Sequence, residues 1–199
     1  MNLQLLKEHI EGIDIYILDL ILKGRYQPGS KILDAGCGNG RNLKWFYAEN
    51  FEIHGIDTNL KNLQTCKEIY KLQHTNFIQA TVEKIPYESN SFGHVICSAV
   101  LHFAKDVNHF YKMFEELLRV LKPEGVLFIR LASNLGIENQ VKHLANGVYE
   151  LPDGSTRFIL TQKILDEILN TKGISLEDNV KTTIVHTKRI MTTLIIKKE

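Results

Sequence analysis

The stretch from Lys31 to Asn42 constrains this chain more than any other. Lys31 to Ala35 is a short apolar run interrupted by one acid, Asp34, and Gly36, Gly38 and Gly40 follow it at alternate positions. A helical pattern then opens, with Leu43, Phe46 and Tyr47 on one face. A strand that passes into a helix through glycines brings bare backbone against a ligand, because no Cβ stands in the way. The helix also turns its free N–H groups and the positive end of its dipole toward the turn. The glycine spacing departs from the dinucleotide fingerprint, since Arg41 stands where that pattern needs its third glycine.

The rest of the chain alternates in the same way. Residues 2–23 carry Ile13, Ile17, Leu20 and Ile21 at helical spacing, and Gly24 ends the run. Strands are expected over Glu52–Ile56, Thr75–Gln79, His94–Ser98 and Val126–Leu131, the third of these a continuous apolar run of the buried parallel type. Between them lie a helix capped by Asn59, with Leu63, Cys66 and Tyr70 inward, and a longer one capped by Asp106. The longer helix shows an apolar stripe from Val107 and Phe110 to Leu121, which is core. Periodicity lapses from Ala132 to Phe158, and a helix capped by Thr161 follows. Asn179–Lys198 gives two β-rich runs around His186–Arg189. Alternation of this kind predicts a doubly wound, mostly parallel seven-stranded α/β sheet with helices on both faces and the last strand antiparallel. Its ligand site falls beyond the carboxyl end of the first strand. Asp57, about twenty residues past the glycine turn, is placed to accept both hydroxyls of a ribose.

Composition narrows the partners. With 199 residues, 44% hydrophobic and 24% charged, the chain reads as one soluble domain. A formal net charge of +1 gives no electrostatic case for nucleic acid or an anionic membrane. Three scattered cysteines, Cys37, Cys66 and Cys97, speak against a disulfide framework and for a reducing, cytoplasmic setting. No Cys/His spacing suits a metal. Lys7, Glu8, His9 and Glu11 break the first apolar run, so it reads as neither a signal peptide nor a membrane span.

Taken whole, the Asp34–Gly40 motif resembles the first motif of the class I, Rossmann-like S-adenosylmethionine-dependent methyltransferases. Ala80–Phe92 is similar to that family's segment Asp-Ala-Glu-x-Leu-Pro-Phe followed by Ser-Phe-Asp, with Thr81 and Gly93 standing where the family has Asp. Leu118–Gly125 resembles its turn before strand five. The resemblance spans nearly the whole chain from Lys31 onward. It implies that Asp34 and the backbone of Gly36, Cys37, Gly38 and Gly40, with Asn42, hold the methionine part of S-adenosylmethionine. Asp57 and Thr58 would meet the ribose, and Thr81, Val82 and Glu83 would flank adenine. Ser98 and Ala99 begin a loop running to Phe103 that would floor the methyl site, and His102 is the candidate for substrate contact or general base. The family also implies that residues 1–30 form a helical cover, with Tyr16, Arg25 and Tyr26 as lid residues, and that 132–158 cover the substrate. The expected activity is in-line methyl transfer to a small-molecule acceptor, releasing S-adenosylhomocysteine, by a monomer or homodimer. A relative that binds the cofactor only to act through a protein partner is the alternative, and an RNA or protein methyltransferase a weaker one. The site after strand four begins Ser98-Ala-Val-Leu, not the Asn/Asp-Pro-Pro-aromatic motif used on flipped bases.

Overall fold

A break, not a continuous helix, opens the chain in the computed structural model, which describes residues 3–186 and 188–199. Helices α1 (Leu3–Ile10) and α2 (Ile15–Leu22) replace the single helix expected over 2–23. Gly12 takes a φ of 81°, which ends α1, and Asp14 caps α2 by accepting the Tyr16 N–H. The break serves packing: the carbonyls of Glu11 and Gly12 accept hydrogen bonds from Lys44 and Arg41, just past the glycine turn. Asn2, within the expected helix, and Thr187, within the expected last turn, lie outside the described residues.

Next come β1 (Lys31–Ala35), α3 (Lys44–Ala48), β2 (Glu52–Asp57), α4 (Leu60–Ile69), β3 (Phe77–Gln79), β4 (Phe92–Ser98), α5 (Val107–Val120) and β5 (Leu121–Ala132). Asn59 and Asp106 cap α4 and α5 as their spacing predicts. β3 is shorter than expected because side chains do part of its pairing: Gln73 bonds Ile53 N–H and Phe51 C=O, and Asn76 bonds Ile53 C=O. β5 starts earlier than expected, since Leu121 pairs with Phe92 before a register shift brings Val126 opposite His94. The Lys122–Gly125 turn is the material looped out by that shift.

Three short strands follow, β6 (Lys142–Ala145), β7 (Val148–Glu150) and β8 (Thr156–Phe158), which form a separate antiparallel meander. Then α6 (Gln162–Leu169), capped by Thr161, leads into β9 (Ile174–Leu176), β10 (Lys181–Val185) and β11 (Arg189–Lys198). The main sheet runs β10-β11-β5-β4-β1-β2-β3, with β9 pairing the far end of β11 as an unanticipated eighth strand. The β5-β4-β1-β2-β3 part is parallel, and β11 is antiparallel to both its neighbours on that path.

Strand residues alternate between two apolar layers, as a sheet covered on both faces requires. Leu33, Val95, Cys97, Leu127 and Ile129 pack under α5 and α6. Ile32, Ile96 and Phe128 pack under α2, α3 and α4. β1 has β2 on one side and β4 on the other, so the connections leave it in opposite directions and open a crevice at its carboxyl end.

Candidate active site

At that crevice the chain leaves β1 through Gly36, whose φ is 83°. The N–H groups of Gly36 and Cys37 both donate to Ile56 C=O, at 2.8 and 2.9 Å, which ties the turn to β2. A Cβ at position 36 would fall 2.3 Å from Val100 Cγ2, so the loop after β4 rests on bare backbone. Asp57, ending β2, accepts the Gly38 N–H through Oδ2 and the Asn59 N–H through Oδ1, each at 2.8 Å. One acid thus sets the glycine turn and the start of α4.

A cavity of about 460 Å³ opens over this frame. Of the residues singled out in the sequence, Gly36, Asp57, Thr58, Thr81, Val82, Glu83 and Ala99 line it. Ala80, Val100, Phe103, His109 and Met113 complete the wall. His109 and Met113 are one turn apart on α5 and were hidden in its apolar stripe; the imidazole at the stripe's edge was the available signal. Burial pushes the Glu83 carboxyl up, but its own backbone N–H and His109 outweigh this and hold it below the usual range. His109 Nε2 stands 3.5 Å from that carboxylate.

The other candidates lie outside this wall. Asp34 is fully buried beneath the turn, and neither carboxylate oxygen has a hydrogen-bond partner. Burial raises its carboxyl to about 7, against the pull of Arg41. Cys37 is buried beside Cys66, whose thiol donates to Gly38 C=O. Gly40 lies against the Tyr70 ring, and the Tyr70 hydroxyl donates to its carbonyl at 2.6 Å. Asn42 and Ser98 meet a residue the sequence did not flag. Asp14 donates its N–H to Asn42 Oδ1, and its Oδ2 accepts from Ser98 Oγ at 3.1 Å and from Arg130 at 2.8 Å. The head of α2 is thereby pinned to the carboxyl ends of β4 and β5. Of the expected lid residues, Tyr16 lies under the Arg130 guanidinium, 5.3 Å from its ring centroid. Arg25 pairs with Glu177, away from the cavity. Tyr26 is buried against Phe46 and His94, at the amino ends of the central strands, and is core.

His102 faces a second cavity, of about 290 Å³, which shares Ala99 with the first. Its Nδ1 accepts the Ala132 N–H at 3.4 Å. Burial, aided by Arg157, lowers its pKa to about 4, so the ring is neutral near pH 7 and carries its proton on Nε2. That arrangement makes it a hydrogen-bond donor, which suits the first of the two roles expected of it, substrate contact or general base.

A parallel sheet with a glycine turn at its switch point and an acid at the end of the next strand is a Rossmann-like architecture. Residues 33–129 match the family described as a methyltransferase domain, and the sheet has the class I fold of the S-adenosylmethionine-dependent methyltransferases. Cycloartenol-C-24-methyltransferase of Arabidopsis thaliana is 30% identical over 158 residues, covering 75% of this chain and 46% of that protein. Phthiotriol/phenolphthiotriol dimycocerosates methyltransferase of Mycobacterium tuberculosis is 26% identical over 99 residues, 49% of this chain and 36% of that one. The chain therefore spans half or less of the length of these curated relatives. Among solved structures, a SAM-dependent methyltransferase from Methanosarcina mazei superposes with a TM-score of 0.69 at 20% identity, covering 90% of this chain and 96% of that one. At that identity the likeness concerns the fold. Among the described residues no helix is long and apolar enough to cross a membrane, and no His/Cys/Asp/Glu group is arranged to hold a metal.

Proposed function

We propose that the chain transfers a methyl group from S-adenosylmethionine to a small-molecule acceptor. The observation that carries this reading is the convergence of the glycine turn, Asp57 and the Thr81–Glu83 segment on one cavity beside the loop after β4. The cavity suits the cofactor chemically. Asp57 offers acceptor lone pairs for ribose hydroxyls, and Val82 and Met113 offer apolar faces for a flat ring. Thr81 and Glu83 supply polar atoms at that ring's edge in place of the Asp seen in similar motifs. Bound there, S-adenosylmethionine supplies a methyl group on a sulfonium, an electrophile that needs only an aligned nucleophile.

The chain's own residues would then orient and shield. Gly36 allows Val100 to close on the turn, and Ala99, Val100 and Phe103 keep water from the reacting end. Asp14 and Arg130 hold α2 across the carboxyl edge, so residues 1–30 act as the helical cover of a single domain. Residues 132–158, with their meander, form the acceptor's cover. His102 donates from Nε2 and takes no proton there. The names of the plant and mycobacterial relatives support a small acceptor; the scattered free cysteines suit a cytoplasmic setting, and the protein would act as a monomer or homodimer.

Calorimetric titration with S-adenosylhomocysteine, beside NADH, tests this. The wild type is expected to bind the homocysteine cofactor in the micromolar range and to ignore NADH. Asp57→Asn should weaken binding roughly 10- to 100-fold, the cost of hydrogen bonds to a charged group. A preference for NADH, or an Asp57→Asn variant that binds unchanged, overturns the reading.

A further inference from the structure

We propose that the second cavity is the acceptor's subsite and that it selects small acceptors carrying an anionic group, a carboxylate or phosphate, on an apolar frame. This rests on the methyltransferase reading and adds what the substrate must look like. The cavity meets the first one at Ala99, whose left-handed backbone (φ 61°) is fixed by an N–H bond to Arg130 C=O at 2.7 Å. A molecule in the second cavity therefore has a common wall with a donor in the first.

Its chemistry is one-sided. Leu151, Ala132, Ile190 and Met191 give it an apolar side. The polar side holds two guanidinium groups, Arg157 and Arg189, against one carboxylate, Asp153. Asp153 is committed to Arg189, with Nε at 2.9 Å, and to the Ser155 N–H and hydroxyl. Arg157 has no carboxylate within ion-pair distance among the described residues. It donates to Thr156 C=O at 2.7 Å and lies over the Phe103 ring, 5.2 Å from the centroid. Phe103 itself lines the first cavity, so the ring that carries the cation also walls the donor site. His102 adds a neutral ring whose Nδ1 is already used by Ala132 N–H, which leaves Nε2–H to donate. A half-buried cation without a counter-charge, next to a second donor and an apolar wall, is a complement for a carboxylate or phosphate.

The test titrates benzoate, octanoate and phenyl phosphate into the protein, with and without saturating S-adenosylhomocysteine. Each is compared with its neutral partner, benzamide, octanol or phenol. At least one anion is expected to bind the wild type roughly tenfold more tightly than its partner, as a charge-assisted pair should. Arg157→Gln should erase that preference while leaving the melting temperature and S-adenosylhomocysteine affinity unchanged, and Arg157→Lys should retain most of it. If no anion outbinds its partner, or if the preference survives Arg157→Gln, the proposal is wrong. If the wild type binds the anion but not S-adenosylhomocysteine, the anion subsite stands and the methyltransferase reading falls.

Discussion

A methyl group added at position 36 would have to share space with Val100 Cγ2, 2.3 Å away, at a φ of 83° that L side chains rarely adopt. Left-handed backbone costs about 1–2 kcal/mol and overpacking about 1–3, so Gly36→Ala should destabilise by roughly 3 kcal/mol. For a chain of this size the melting temperature should drop roughly 6–12 °C, and S-adenosylhomocysteine affinity should fall with it. Calorimetric melting of the variant decides the point; an unchanged melt would mean that the turn does not carry Val100. Asp34 makes the opposite prediction from the same motif. Its folded carboxyl sits at about 7, raised first by burial, whereas an unfolded Asp titrates near 3.9. The folded state thus keeps a proton the unfolded chain has lost, and stability from this residue falls as pH rises from about 4 to 7. Asp34→Asn should be more stable than the wild type by up to roughly 4 kcal/mol at neutral pH and by nothing near pH 4. Urea titrations at pH 4 and 7.5 measure the difference. The motif's spacing made Asp34 legible as special; that its oxygens lie under the turn, outside the cavity wall, depends on how β1 is buried between β2 and β4.

A buried ion pair ties the head of helix α2 to the sheet. Asp14 is fully buried at its carboxylate and Arg130 keeps about a fifth of its side chain exposed, with 2.8 Å between them. Removing one partner of a buried pair typically costs about 3–5 kcal/mol, because the other charge is left uncompensated. Asp14→Ala should therefore cost about 3 kcal/mol, the low end given Arg130's exposure, and should speed amide exchange over residues 15–22. Asp14→Ala combined with Arg130→Met should cost less than the sum of the two single changes. A strictly additive double variant would remove the pair from the account of the cover. None of this was written in the sequence. Gly12 is a weak signal inside an apolar run, Asp14 reads as an ordinary helix residue, and Arg130 lies 116 positions away in a strand. The meander was illegible for another reason. Its first strand is exposed throughout, so no alternation of apolar and polar residues marks it. The N-caps at Asn59, Asp106 and Thr161, in contrast, are local chemistry and were all readable.

At the scale of the whole molecule, the doubly wound parallel sheet and the place of the crevice followed from alternation and the glycine turn, since both signals are local in sequence. What alternation cannot carry is the electrostatic state of the core, and here four buried groups compete. His94 and His102 are both depressed to about 4 by burial, with Arg157 adding to the effect at His102. An unfolded His titrates near 6.5, so between about pH 4 and 6.5 the unfolded chain binds these two protons and the folded chain does not. Their contribution to stability is complete above about pH 6.5 and is lost as pH falls toward 4. Asp34 acts with the opposite sign over nearly the same window. Two protons against one leave a net uptake of about one on unfolding, so stability should fall by roughly 1.4 kcal/mol per pH unit between about pH 6 and 4.5. His54, depressed first by burial, acts in the same direction as the other two histidines. Guanidinium titrations across that range would give the slope. His94→Gln, which keeps an acceptor for the Gln27 N–H, should flatten it, and Asp34→Asn should steepen it toward two protons. If the wild type grows more stable toward pH 4.5, or if His94→Gln leaves the slope untouched, the buried histidines do not govern the acid limb.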